Sequence, residues 1–373
     1  MPQPRLLALS AALMAVGGTA VFVAVNPPST ASVAAVAGPL AAAGAPSPAP
    51  TVAPMPSPTS TMPATPPKAL VAVSAAQVWG GRHKVRDFDA PALQRPARVA
   101  AWLRGMTFFQ RSHLYKRLAT EVRYGEEVEV LGTWGTLSHI QIPDQTGGRF
   151  PDGIIGWVSS AQLVPEPDGW GSATKVATVT AKWASLQRTV AGATRSLAIS
   201  YATTLPVVKV RPHRVVVAVP GAAVQGYLPR GTVRVHQRGT PAIRPSGREV
   251  VAQAKRFLGL PYLWAGMTAW GFDCSGLTSA VYSELGMTLP RDAADQSLVG
   301  RGVPRGQLRP GDLLFFSHTS QRGDIHHVAI YAGRGRVLQS PYTGARVEIV
   351  KLRHSYLDRE YWGASRPLTS KVS

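Results

Sequence analysis

Gly271-Phe272-Asp273-Cys274-Ser275-Gly276-Leu277 holds the one cysteine of this 373-residue chain, and its surroundings decide the fold. Asp273 suits a helix N-cap, which places Cys274 in the first turn of a helix that runs through Leu277 to Leu285 and ends at Gly286. The partial positive charge at a helix start favours a thiolate. Cys274, Leu277, Val281 and Leu285 share one helical stripe, so the sulfur is expected to face a sheet rather than bulk water. A buried structural cysteine would show the same stripe, and spacing alone leaves both open.

A catalytic thiol needs a base within hydrogen-bond reach. Ile325-His326-His327-Val328-Ala329-Ile330-Tyr331 offers two histidines on one predicted strand. Side chains alternate along a strand, so the two face opposite sides, and periodicity does not say which side meets the helix. An imidazole base also needs an acceptor to orient it. Gln339, in Val337-Leu338-Gln339-Ser340 on the next predicted strand, can supply one.

Upstream, Ser246-Gly247-Arg248-Glu249 reads as a capping box opening a helix over 246–260, with Gly259 and Pro261 ending it. Downstream, the runs at 313–316, 328–331, 337–338 and 347–350 read as strands separated by glycine turns. Helices first and an antiparallel sheet after them predict an α+β domain over 243–373.

The rest of the chain is organised differently. Arg5 precedes an apolar run over 6–25, and Ala35-Val36-Ala37 offers a cleavage site, so 1–37 reads as a signal peptide or N-terminal anchor. Residues 38–70 are rich in Pro, Ala, Ser and Thr and read as an extended linker. Short alternating runs then predict two all-β modules. The first covers 71–168, with a helically spaced insertion over 91–119, and the second covers 169–242.

Net charge is +20. Residues 1–246 carry 24 Lys+Arg against 10 Asp+Glu, and the remainder 16 against 10, so most of the excess lies outside the α+β domain. A basic face suits anionic polymers or lipid head groups. The charges are scattered and no nucleic-acid-binding signature appears. No metal cluster is legible, because the histidines lack ligand spacing with the cysteine or with acidic residues. No cofactor motif is present.

Five segments in order give a resemblance. They are 257–266 (Phe-Leu-Gly-Leu-Pro-Tyr-Leu-Trp-Ala-Gly), 271–277, Leu289-Pro290-Arg291, 310–316 (Pro-Gly-Asp-Leu-Leu-Phe-Phe) and 327–331 (His-Val-Ala-Ile-Tyr). Residues 247–363 resemble the NlpC family of papain-like cell-wall cysteine peptidases. The resemblance implies Cys274 as nucleophile, His327 as base and Gln339 at the third position, where the family more often has His. It implies Tyr262 near the thiol, and Asp273 and Ser275 at the substrate's amine end. Residues 71–240 look like the paired bacterial SH3-like modules of members that cut γ-D-glutamyl–diamino acid bonds, with 124–127 as a candidate contact segment. The expectation is an exported or wall-associated hydrolase of peptidoglycan stem peptides, tethered through residues 6–25 if the signal is retained. Anionic wall polymers are further candidate partners. A non-catalytic wall-binding protein with a degenerate peptidase domain is the alternative.

Overall fold

The computed structural model describes residues 66–190, 193–221, 225–240, 245–319 and 323–369. The export segment and most of the linker lie outside these residues. The folded chain begins inside the stretch assigned to the linker, because Lys68–Val71 already forms strand β1. Among the described residues no helix is long and apolar enough to cross a membrane.

The first module is built from β1, β2 (Ala75–Trp79), β3 (Leu118–Arg123), β4 (Glu127–Trp134), β5 (Leu137–Ile142), β6 (Ile154–Ser159) and β7 (Leu163–Pro165), in the sheet order β3-β2-β6-β5-β4-β1-β7. The predicted helical insertion lies between β2 and β3 as α1 (Ala90–Leu93), α2 (Val99–Gly105) and α3 (Phe108–Ser112). Thr107 caps α3 through a capping box with Gln110. The insertion buries Trp102 and Leu114 against Trp79 and Leu118, with Leu263 of the C-terminal domain in the same cluster.

The second module comprises β8 (Lys175–Val179), β9 (Trp183–Val190), β10 (Ala193–Ser200), β11 (Thr204–Val210), β12 (Arg214–Ala218), β13 (Gln225–Pro229) and β14 (Val233–Gln237), ordered β10-β9-β13-β12-β11-β8-β14. The ladders leave both sheets open, so the expected barrels are not closed rings. The β9–β10 hairpin pairs along its whole length, yet residues 193–196 stand exposed at its far end.

The C-terminal domain opens with α4 (Gly247–Lys255), whose start is the predicted capping box of Ser246 and Glu249. The helix is shorter than its pattern. From Arg256 to Leu260 the backbone tightens into turns, and Gly259 takes φ 80°, a left-handed value that glycine accepts without strain. A two-stranded ribbon of β15 (Met267–Thr268) and β16 (Gly271–Phe272) leads into α5 (Cys274–Glu284), and a short α6 (Ala293–Gln296) follows. The sheet is antiparallel and takes the order β17-β22-β18-β19-β20-β21. These strands are Arg301–Gly302, Tyr361–Arg366, Leu313–Ser317, Ile325–Gly333, Arg336–Gln339 and Glu348–Lys351, with α7 (Tyr356–Glu360) directly before β22. Leu277, Ala280 and Val281 of α5 and its C-cap Leu285 share one buried cluster with Phe315, Val328, Ile330 and Leu338 of the sheet. Burying that many large apolar side chains contributes roughly 2 kcal/mol each. It fixes the start of α5 against β19.

Candidate active site

Asp273 caps α5 by accepting the Gly276 N–H at 2.6 Å, so Cys274 is the first helical residue. Cys274 as a residue is half-buried and packs against the cluster that holds Val328. The backbone N–H groups of Val328 and Ser275 both reach its sulfur. Val328 directly follows His327 in β19. The expected lowering of the thiol pKa is outweighed. Burial, followed by the Asp273 charge, pushes the Cys274 thiol up to about 12, against the pull of those two N–H groups.

His327 is buried, and its Nε2 lies 2.8 Å from Gln339 Oε1. Burial holds its pKa down to about 4, although the Gln339 contact works in the opposite direction. The amide has a fixed orientation for a chemical reason. Gln339 Nε2 donates to Glu348 Oε1 at 3.0 Å, and a carboxylate only accepts. Gln339 Oε1 is therefore the end that meets the ring and accepts from Nε2–H, and the neutral ring keeps its lone pair on Nδ1. Tyr356 Oη, 3.1 Å from Gln339 Nε2, closes this group. His326 makes none of these contacts. It is exposed and stacks on His318.

The fold also gathers the three predicted substrate residues. Tyr262 is buried, its phenol pushed well above 10 by burial and then by the neighbouring Cys274 and Asp273. Arg291 clamps Asp273, with Nη2 at 2.6 Å from Oδ2 and Nη1 at 3.2 Å from Oδ1. The same Nη1 donates to Ser275 Oγ at 2.9 Å. Arg291 also donates through Nε to Thr120 Oγ1 of β3, 2.9 Å away, so the clamp continues into the first module.

In the candidate contact segment 124–127, Tyr124 packs with Trp170 and Leu205 in the second module's cluster, Glu126 accepts from Gln145, and all four residues line a cavity with Met267 and Arg291. β3 bonds the peptidase domain directly. Glu121 Oε2 accepts the Met267 N–H at 2.8 Å, Glu121 Oε1 accepts from Gln77, and Arg123 Nε donates to the Met267 carbonyl at 3.1 Å. Burial raises the Glu121 carboxyl to about 7. The available signal was a carboxylate in an otherwise apolar strand position, Thr120-Glu121-Val122. This cavity of about 820 Å³ lies where the two modules meet the C-terminal domain, lined by residues such as Glu126, Trp170, His236, Ser283 and Arg291. Neither Cys274 nor His327 lines it.

A cysteine at a helix start, packed on the strand that carries a buried histidine bonded to a polar residue, fits the chemistry of a thiol hydrolase. Residues 259–366 match the NlpC/P60 family, and residues 179–235 match the YKFC SH3b2 domain. The chain is 33% identical over 306 residues to the gamma-D-glutamyl-L-lysine dipeptidyl-peptidase of Bacillus cereus, covering 81% of this chain and 91% of that protein. It is 30% identical over 305 residues to the enzyme of the same name from Bacillus subtilis, covering 79% of this chain and 97% of that one. The crystal structure of an NlpC/P60 family protein from Bacillus cereus superposes with a TM-score of 0.77 at 32% identity, over 81% of this chain and 99% of that chain. The chain belongs to the NlpC/P60 family of cysteine peptidases and carries an SH3b domain ahead of the peptidase domain.

Proposed function

We propose that this protein hydrolyses the γ-D-glutamyl–diamino acid bond of peptidoglycan stem peptides and releases a dipeptide from the amine end. The carrying observation is the chain Cys274, Val328 N–H, His327, Gln339 and Glu348, taken with likeness to two full-length dipeptidyl-peptidases. Cys274 attacks the amide carbonyl while its proton passes to Nδ1 of His327. The backbone N–H of Cys274 is the candidate oxyanion donor. His327 then protonates the leaving amine, and water clears the acyl-enzyme. Gln339 orients the ring. Tyr262, Asp273 and Ser275 position the acyl side of the substrate.

The first module supports the dipeptidyl reading. Its β3 abuts β15 just before the nucleophile, and its Thr120 joins the Arg291–Asp273 clamp. A site bounded in this way favours a short free-ended segment over a long glycan-linked one. Exposed arginines of the second module, among them Arg195, Arg211, Arg214 and Arg230, suit contact with anionic wall polymers. The family and these contacts fit a protein exported to the wall, with 1–37 as its export segment. Within the finer architecture, 243–373 is a papain-like domain following two SH3-like modules.

A digest of defined peptides tests the reading. The protein should release the dipeptide X-γ-D-glutamate from a free tripeptide ending in the diamino acid, read by mass spectrometry. The same tripeptide with a blocked amine should be cut at least about tenfold more slowly, the scale of one lost charge-assisted contact. Equal cleavage of both would remove the dipeptidyl reading. The absence of any cleavage would favour the wall-binding alternative, which Gln339 at the third position keeps open.

A further inference from the structure

We propose that His318, His326 and Glu360 form a binding site for a divalent transition-metal ion of the zinc class. The three residues come from neighbouring strands at one end of the sheet. His318 directly follows β18, His326 is the second residue of β19, and Glu360 directly precedes β22. None of them belongs to the thiol site. His326 Nε2 lies 3.3 Å from one Glu360 oxygen and His318 Nδ1 lies 3.7 Å from the other. One ligand atom from each residue falls within 4.8 Å of the other two. Zinc–ligand bonds of about 2.0–2.1 Å in a tetrahedron set ligand atoms roughly 3.3 Å apart, so the His326–Glu360 pair already has that spacing while the set of three, within 4.8 Å, must draw in around an ion.

A further observation points the same way. Glu360 Oε2 is shut off from water, and its near polar neighbour is His326 Nε2 at 3.3 Å, without hydrogen-bond geometry. A carboxylate oxygen in that condition is costly unless a cation compensates it. The imidazoles of His318 and His326 stack face to face, with centroids 3.8 Å apart and planes 10° apart. Two imidazoles and one carboxylate select zinc, cobalt or nickel over calcium or magnesium. Parallel ring planes do not converge on one ion, so one ring must turn. His318, its side chain 76% exposed, has the space to do so. The bound ion would tie three strand ends together beside His327, whose ring centroid is 6.2 Å from that of His326.

The test uses the full, tag-free chain carrying Cys274→Ala, which removes the thiol as a competing ligand and makes the result independent of the proposed activity. Calorimetric titration with Zn²⁺ should show one equivalent bound, and Co²⁺ should develop visible absorption with nitrogen and oxygen ligation. His318→Ala and Glu360→Gln, added singly, should each weaken Zn²⁺ binding by about tenfold or more. In the chain that retains Cys274, His318→Ala should leave metal-free hydrolysis unchanged. The proposal fails if Cys274→Ala binds no Zn²⁺, or if its affinity survives both substitutions and so belongs to other histidines.

Discussion

Two adjacent histidines differ sharply in what they touch. His327 is buried against Gln339, while His326 is exposed and faces His318 and Glu360. His327→Ala should therefore lower the hydrolysis rate by about 10²–10⁴-fold, the usual contribution of a general base, and His326→Ala should cost less than about threefold. Steady-state rates of the two variants in metal-free buffer decide this, and the reverse ranking would mean that the strand register is misread. One step further out, Glu348→Ala frees the Gln339 amide to rotate and offer its NH₂ to the ring. The expected result is a fall in kcat of about tenfold, the value of one hydrogen bond, with KM nearly unchanged. A variant with unaltered kcat would show that Glu348 does not hold the amide.

At the scale of elements, the junction between β3 and the start of α5 rests on buried charge. Arg291 is the partner that keeps Asp273 satisfied. Arg291→Leu should cost about 3–5 kcal/mol of stability, because it leaves a buried carboxylate unpaired. Urea denaturation checks this, and a loss under about 1 kcal/mol would show that Asp273 finds another partner. Glu121 gives a pH signature. Its carboxyl is raised from 4.5 to about 7, so the folded state holds a proton that the unfolded state has already lost. That contribution is fully present below pH 4.5 and is lost as the pH rises through 7, a change of order 3 kcal/mol. Between pH 4.5 and 8 the stability difference should move in favour of Glu121→Gln by that order. Parallel curves for the two proteins would contradict it.

The legible parts of this molecule are those where chemistry sits next to itself in sequence. The Asp273 cap, the capping box at Ser246 and Glu249, and the order Cys274, His327, Gln339 all appear as local patterns, and each occupies the expected element. What could not be read depends on strands meeting. Glu121 touches Met267 across 146 positions. Glu348 reaches Gln339 only through the β20–β21 ladder. Glu360 meets His318 and His326 only because β22 and β19 flank β18, a juxtaposition that spacing along the chain does not show. The thiol pKa was misjudged for a similar reason. The helix start is local, whereas the desolvation that overrides it comes from the packed sheet.

At the scale of the whole molecule, two β modules precede a peptidase domain whose proposed chemistry rests on one sulfur. Both wild type and Cys274→Ala should fold alike, since Cys274 lies at the edge of its cluster and the change removes one atom. The decisive measurement is release of X-γ-D-glutamate from the free tripeptide by these two proteins, each shown by circular dichroism to be folded. Release is expected from the wild type and none above background from Cys274→Ala. Equal release by both proteins would contradict it.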